Sequence, residues 1–405
     1  MSNLILPGLI DPHVHLRDPG QTQKEDFYTG TSAALAGGYT TILDMPNNKV
    51  PITTLEKLEK KIKIAKEKIV CDVGFYFGSI GENLGEFEKL FFYSSSERER
   101  VEKLSLNSSR QARTIKNLSS LIFGLKLYLN RTTGNFIIEK NLLESIFTTW
   151  LSTFQSMSLC SSILSTKNVK PILVHAEEKR VEDVINIVKK VKIPTHFCHI
   201  SRTDQLKMIL KAKEEGLPVT CGVTPHHLFL TEKDAKILGP FAKMKPPLSS
   251  KKDQDFLWKN LSYIDVIESD HAPHTIEEKQ SNKPPFGVPG LETTLPLLLT
   301  AVSEKRLAIE DIIRLCYRTP AKIFGIKTDS KTKIEVDLNW KFEIARPERS
   351  RGGNLKFHTK CGWSPFNGWK VKGKVKRVFI RGEKVFEDDK ILAKPGFGKV
   401  VSPKF

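Results

Sequence analysis

Apolar residues along this chain gather in short runs, separated by longer stretches in which apolar positions recur at helical spacing. The runs at 9–15, 39–44, 71–77, 124–129, 171–175, 195–199, 218–223 and 264–269 read as strands. Amphipathic or helix-favouring segments lie between them at 24–36, 54–68, 139–154, 177–190 and 203–215, followed by a mixed stretch at 231–261. Strands mostly followed by helices predict the α/β class. The pattern is that of a parallel (β/α)8 TIM-type barrel, whose active site lies at the C-terminal ends of its strands.

Two stretches fit the repeat poorly. Residues 91–120, rich in Ser, Arg, Lys and Glu, and residues 152–167, rich in Ser and Thr, are expected to be surface insertions or poorly ordered loops, without chemistry of their own. Beyond the strands, 308–324 reads as a closing helix. Residues 335–344 and 371–392 then alternate like strands, with a turn at Arg381-Gly382 and a loop over 345–362. The expected organisation is a barrel over 5–330 and a small C-terminal β appendage over 331–405.

Composition changes this picture little. At 405 residues and 39% hydrophobic content, the chain can build a large core. No apolar run is long enough to span a bilayer, and no leader pattern opens the sequence, so a cytoplasmic protein without a membrane partner is expected. The six cysteines form no C-x-x-C pair and read as reduced, buried thiols. A net charge of +18 raises the question of nucleic acid. The lysines are nevertheless spread along the chain with no aromatic-interleaved basic motif, so a solvated basic surface is expected instead.

The chemistry gathers at the strand ends. His13, His15 and Arg17 share one face of an extended strand, suggesting a metal beside an anion site, although a His-x-His alone fits an ordinary surface strand equally well. Read with the barrel, however, His175, His199 and Asp270 close three further strands and Lys126 sits within another. Four imidazoles and a carboxylate are too many donors for one tetrahedral site with an open position, so two metals sharing a bridge is the better count. Lys126 alone reads as a strand lysine whose stem packs and whose ammonium reaches the rim. Beside two cations it would be repelled, whereas a neutral amine could take up carbon dioxide and become a bridging carbamate.

Several stretches together resemble the dihydroorotases of the amidohydrolase superfamily over nearly the whole chain: Pro7-Gly8-Leu9-Ile10-Asp11-Pro12-His13-Val14-His15-Leu16-Arg17, Met45-Pro46-Asn47, Gly124-Leu125-Lys126, Ser269-Asp270-His271-Ala272-Pro273-His274, Pro289-Gly290-Leu291-Glu292-Thr293 and Gly362-Trp363-Ser364-Pro365-Phe366. The resemblance implies two Zn2+ per chain. His13, His15 and Asp270 would hold one, His175 and His199 the other, and carbamylated Lys126 would bridge them. It also implies that Arg17, Asn47 and His274 hold the substrate carboxylate and ring, with the backbone at Phe286 in contact and a closing loop at Arg131, Thr132 and Thr133. Arg17 suits such a role as a planar, bidentate clamp. Asn47 without the motif would read as a turn residue.

The chain departs from the animal-type pattern at three positions. Lys245 stands where an arginine is found and keeps the charge without the fork. Thr133 replaces a phenylalanine of the closing loop. Gly222 replaces a glutamate after a strand cysteine, so an additional metal site using Cys198 is not expected and Cys198 reads as a buried thiol.

The implied activity is the reversible cyclisation of N-carbamoyl-L-aspartate to (S)-dihydroorotate in de novo pyrimidine biosynthesis, by a binuclear zinc-bound hydroxide with Asp270 as proton shuttle. A homodimer is the expected assembly, and carbamoyl-phosphate synthetase and aspartate transcarbamoylase domains are possible partners. Two alternatives stay open. One is a related cyclic amidase of the hydantoinase or allantoinase type, and the other is a metal-free, non-catalytic homologue acting as a scaffold.

Overall fold

The computed structural model of the chain describes residues 3–91, 118–132, 137–155, 169–344 and 357–404. Eight parallel strands follow one another in chain order within one sheet: β2 (Leu9–Val14), β3 (Tyr39–Asp44), β4 (Asp72–Gly78), β5 (Ile122–Tyr128), β6 (Ile172–His175), β7 (Thr195–Phe197), β8 (Val219–Val223) and β9 (Val266–Ile267). A parallel bridge from Val14 to His271, with His15 N–H donating to the His271 carbonyl at 2.8 Å, joins the end of the last strand to the first and closes the ring. Side chains fill the interior and helices cover the outside, so both faces of each strand are dry. Every residue of β2, β3 and β5 is accordingly buried, which explains why these strands read as continuous apolar runs.

The covering helices are α1 (Phe27–Ala36), α2 (Leu55–Lys68), α3 (Leu84–Phe91), α4 (Lys140–Gln155), α5 (Lys179–Val191) and α6 (Thr203–Glu214). The mixed stretch before β9 resolves into α7 (Pro225–Phe229), α8 (Glu232–Leu238) and α9 (Lys251–Lys259), joined by a short 3-10 turn at Gly239–Ala242. Past β9 come α10 (Ile276–Lys279) and α11 (Leu291–Ser303). The closing helix expected over 308–324 is broken into Ile309–Ile313, a π-turn at Arg314–Arg318 and Thr319–Ile323.

The pattern missed α11, which packs between α1 and the later strand Lys370–Ile380 and is buried almost all round. A helix covered on every side has no polar face, so its sequence carries no amphipathic period.

The second sheet is antiparallel, in the order β1-β10-β11-β12-β13, with β10 (Lys333–Glu343), β11 (Lys370–Ile380), β12 (Glu383–Glu387) and β13 (Lys390–Ile391). Its edge strand β1 (Asn3–Pro7) comes from the other end of the chain and pairs with β10, so strand β2 enters the barrel directly from this sheet. The turn expected at Arg381-Gly382 is there, with φ of 56° and 85°, the left-handed pair that fits a tight hairpin. The two insertions and the 345–362 loop lie largely outside the described residues. Among the described residues no helix is long and apolar enough to cross a membrane, and Cys71, Cys198, Cys221, Cys316 and Cys361 are free and buried.

Candidate active site

The C-terminal ends of the barrel strands bring together residues far apart in sequence. His13 lies in β2, with His15 and Arg17 just beyond it; Lys126 lies in β5, His175 ends β6, and His199 and Asp270 follow β7 and β9. Arg17, His199 and Asp270 adopt φ of 63°, 40° and 45°, a left-handed backbone that non-glycine residues rarely take. Three such residues at one barrel mouth mark a place where side-chain placement outweighs local backbone preference.

His13 and His15 stand with ring centroids 5.2 Å apart, His13 and His199 5.1 Å, and His175 and His199 4.6 Å. Asp270 Oδ1 lies 3.4 Å from His13 Nε2 and 3.0 Å from His15 Nε2. Opposite this trio, His175 Nδ1 faces His199 Nε2 at 3.1 Å.

The donors around each ring say which nitrogen is free to bind. With Asn47 Oδ1 accepting from His15 Nδ1–H at 2.5 Å, the lone pair of His15 Nε2 points at the Asp270 oxygen. A lone pair facing a carboxylate oxygen is repulsive unless a cation stands between them. On the other side, His175 Nε2–H donates to Glu177 Oε1 at 3.1 Å and leaves Nδ1 bare toward His199. A carboxylate behind an imidazole in this way fixes its tautomer and raises its basicity as a ligand.

The charges agree with this reading. Burial pushes the pKa of His15 down to about 3 and lowers those of His175 and His199, keeping the three rings neutral. Asp270 is the reverse case: burial opposes its charge, but His13 and His15 hold its carboxyl well below the usual range. At His13 burial and Lys126 work against a proton, yet Glu268, Cys198 and Asp270 carry its pKa up to about 10. Neutral imidazoles around carboxylates that pull positive charge onto the one ring they can reach form a donor set suited to a divalent cation. Among the described residues, His13 Nδ1 and Glu268 Oε2, 3.4 Å apart, and His199 Nδ1 are buried without a hydrogen-bond partner, and His13, His15 and Asp270 offer three ligand atoms within 4.8 Å of one another. These residue groups fit a metal.

Lys126 is fully buried, so its head does not snorkel to the rim. Its Nζ lies 3.0 Å from Cys198 Sγ and 5.0 Å from the centre of the Tyr128 ring. Cys198 is the buried thiol expected, but it also belongs to a second group of ligand atoms within 4.8 Å, with His13 and Glu268. A Cβ on Gly222 would come within 2.6 Å of the Glu268 carboxylate. Glu268, from the end of β9, therefore occupies the space a side chain at 222 would need.

The second half of the site is cationic. Arg17 is buried, donates through Nε to the Pro273 carbonyl at 3.2 Å, and sets Nη2 3.2 Å from His274 Nε2. His274 Nε2 lies 2.9 Å from the Phe286 carbonyl, which places the Phe286 backbone at this pocket. Lys245 sits at the rim, its Nζ 3.5 Å from Glu177 Oε2 and 5.8 Å from the Phe286 ring centre. Of the loop expected to close, Thr133 lies outside the described residues.

Glu177, Glu268, Lys24 and Glu278 escaped the sequence reading as site residues. Glu177 carried a weak signal, standing two residues past His175, as did Glu268, two before Asp270. Lys24 and Glu278 carried none.

An amidohydrolase family model matches residues 4–385. The multifunctional protein CAD of Squalus acanthias is 39% identical over 397 residues, covering 98% of this chain, and the chain spans only 15% of that protein's length. The dihydroorotase of Pyrococcus furiosus is 37% identical over 404 residues, covering 98% of this chain and 85% of that enzyme. Among solved structures, L-hydantoinase from Arthrobacter aurescens superposes with a TM-score of 0.81 at 24% identity, covering 98% of this chain and 88% of the other, which shows the shared fold. The chain belongs to the amidohydrolase family, within the group of sequences that its dihydroorotase relatives define.

Proposed function

We propose that this chain is a dihydroorotase, interconverting N-carbamoyl-L-aspartate and (S)-dihydroorotate in pyrimidine biosynthesis. The observation that carries the reading is the pairing of a buried Arg17–His274 pocket, suited to a carboxylate, with the imidazole–carboxylate cluster next to it. A ring amide carrying one carboxylate needs both halves, and the full-length dihydroorotase relatives support that substrate. A hydantoinase-type reading would use the cluster but leaves the buried guanidinium without a task.

Two zinc ions would be held in the holoenzyme, one by His13, His15 and Asp270 and the other by His175 and His199, with carbamylated Lys126 as the ligand they would share. When bound, such ions polarise the carbonyl under attack and make water a stronger nucleophile at neutral pH. Arg17, Asn47 and His274 hold the carboxylate and fix the ring, with the Phe286 backbone beside them and Lys245 adding charge at the rim. In the hydrolytic direction Asp270 takes the proton of the attacking water at a carboxylate oxygen. It then returns this proton to the ring nitrogen as the C–N bond breaks, so the ring opens to the N-carbamoyl product, and cyclisation retraces the same steps. Because relatives of this chain are multifunctional proteins, carbamoyl-phosphate synthetase and aspartate transcarbamoylase domains are proposed as partners, and a second copy of the chain is proposed from the dihydroorotase resemblance alone.

The test is dihydroorotate hydrolysis by the purified protein, with metal analysis of the same sample. About two zinc ions per chain and loss of turnover on chelation are expected. Full turnover in metal-free protein, or no turnover with both metals bound, overturns the reading.

A further inference from the structure

Each ring nitrogen of His274 faces one group that can only donate a hydrogen bond and one that can only accept. Nε2 lies 3.2 Å from Arg17 Nη2 and 2.9 Å from the Phe286 carbonyl oxygen. Nδ1 lies 3.2 Å from Lys24 Nζ and 3.2 Å from Glu278 Oε2. Burial, with Arg17 adding to it, pushes the imidazole pKa down to about 3, so near neutral pH the ring carries one proton and must choose where to put it.

The two choices have different consequences for Arg17. With the proton on Nδ1, the ring donates to Glu278 and its Nε2 lone pair accepts from Arg17. The guanidinium is then held by the imidazole. With the proton on Nε2, the ring donates to the Phe286 carbonyl, Nδ1 accepts from Lys24, and Arg17 meets an N–H that repels its own. The fork is then free for another acceptor, and Nε2–H points into the same pocket.

Three observations favour the second state. The Phe286 contact is the shortest of the four. The Lys24 side chain is only 7% exposed, so its ammonium bears on Nδ1 without much screening, whereas the Glu278 side chain is 32% exposed and shares its charge with water. The Glu278 oxygen that faces Nδ1 is also engaged elsewhere, accepting from the Thr275 backbone N–H at 3.3 Å.

We propose that Lys24 is a positioning residue that holds His274 in its Nε2–H tautomer and so keeps the Arg17 fork open for the substrate carboxylate. Lys24 contacts the far side of the imidazole and Glu278, and it acts through His274. The proposal rests on the dihydroorotase reading for the identity of the carboxylate, but not for the tautomer itself.

The experiment uses full-length protein labelled with 15N-histidine, with His274→Gln identifying the His274 resonances. Substrate-free wild type should show Nε2 protonated and Nδ1 bare. Lys24→Met should reverse this and raise KM for dihydroorotate by about tenfold, as expected when a hydrogen bond to a charged group is lost, with kcat changed less than threefold. Lys24→Arg should restore both readouts. Glu278→Gln, which leaves Lys24 in place, should keep the Nε2–H tautomer, and this tautomer readout decides the matter if Lys24→Met does not fold. A wild-type ring protonated at Nδ1, an unchanged tautomer and KM in Lys24→Met, or a tautomer reversal in Glu278→Gln overturns the proposal. Should wild type fail to turn over dihydroorotate while the tautomer still follows Lys24, the proposed substrate is wrong and the positioning role stands.

Discussion

Lys61 Nζ lies 2.7 Å from Asp44 Oδ2, and neither side chain is more than 1% exposed. Asp44 Oδ1 accepts from the backbone N–H of Leu16 at 2.9 Å, while the same ammonium donates to the Met45 carbonyl at 2.8 Å and to Asn48 Oδ1 at 2.9 Å. One buried ion pair therefore ties down the segment carrying His15 and Arg17 and the turn carrying Asn47. Replacing Lys61 with Met would leave the Asp44 carboxyl without its cation in a dry interior, where burial already pushes its pKa up, and removing one partner of a buried pair typically costs about 3–5 kcal/mol. The urea midpoint of Lys61→Met should fall accordingly, and the Lys61→Met, Asp44→Leu double variant should regain part of the loss. An unmoved midpoint in the single variant would show that the pair contributes no net stability.

This pair also marks where the sequence stops being readable. Lys61 lies in a helix crowded with lysines, and nothing local separates it from its solvated neighbours Lys60 and Lys63. The eight barrel strands were legible because burial on both faces makes them apolar throughout, and His13, His15, His175, His199 and Asp270 because they end those strands. Lys126 stood out for the same reason, as a single amine in an apolar run. Glu177 and Glu268 stand two residues from strand-end ligands and carried only that weak signal, whereas Lys24 joins the site through tertiary contacts that no spacing encodes. The edge strand β1 was missed likewise, since its pairing with β10 spans nearly the whole chain.

Asp270→Asn separates proton transfer from binding. The amide keeps the shape and one oxygen but cannot take up a proton, so kcat for dihydroorotate hydrolysis should fall by about 10²–10⁴-fold while KM stays near its wild-type value. Metal content must be measured alongside, because Asp270 Oδ1 also lies 3.0 Å from His15 Nε2. Retained metal with retained turnover would remove Asp270 from the proton path.

His227 provides a test of acid sensitivity. Its Nδ1 lies 2.7 Å from Thr224 Oγ1 and its Nε2 3.1 Å from the Pro246 carbonyl, and burial pushes its pKa from 6.5 down to about 4. Between those values the unfolded chain binds a proton that the native ring refuses, so stability is lost as pH falls from 6.5 toward 4. The loss from this one group is up to about 1.4 kcal/mol per pH unit. His227→Gln retains hydrogen-bonding capacity without titrating. Urea unfolding at several pH values between 4 and 6.5 should give a shallower slope for the variant, by as much as one proton, and equal slopes would show that His227 titrates alike in both states.

Lys126 is the least obvious member of the proposed centre and the most directly testable. It is fully buried, and its charge works against protons on His13, His175 and His199, so an ammonium there opposes any cation these rings could hold. Conversion to a carbamate reverses that sign and supplies two oxygen ligands. Lys126→Ala removes both the amine and the bridge, and two divalent cations left close together would repel strongly enough to expel at least one. Zinc content should fall from about two per chain to one or none, and dihydroorotate turnover should collapse with it. Because the bridge requires only a carboxylate-like group, Lys126→Glu should retain part of the metal, and short carboxylic acids added to Lys126→Ala should recover some turnover by filling the vacated space. Gentle intact-mass measurement should find wild-type protein heavier by one carbon dioxide, released on acid treatment. Two zinc ions and normal turnover in Lys126→Ala would reduce Lys126 to a buried strand lysine held by Cys198, and the metal pair would need another bridge.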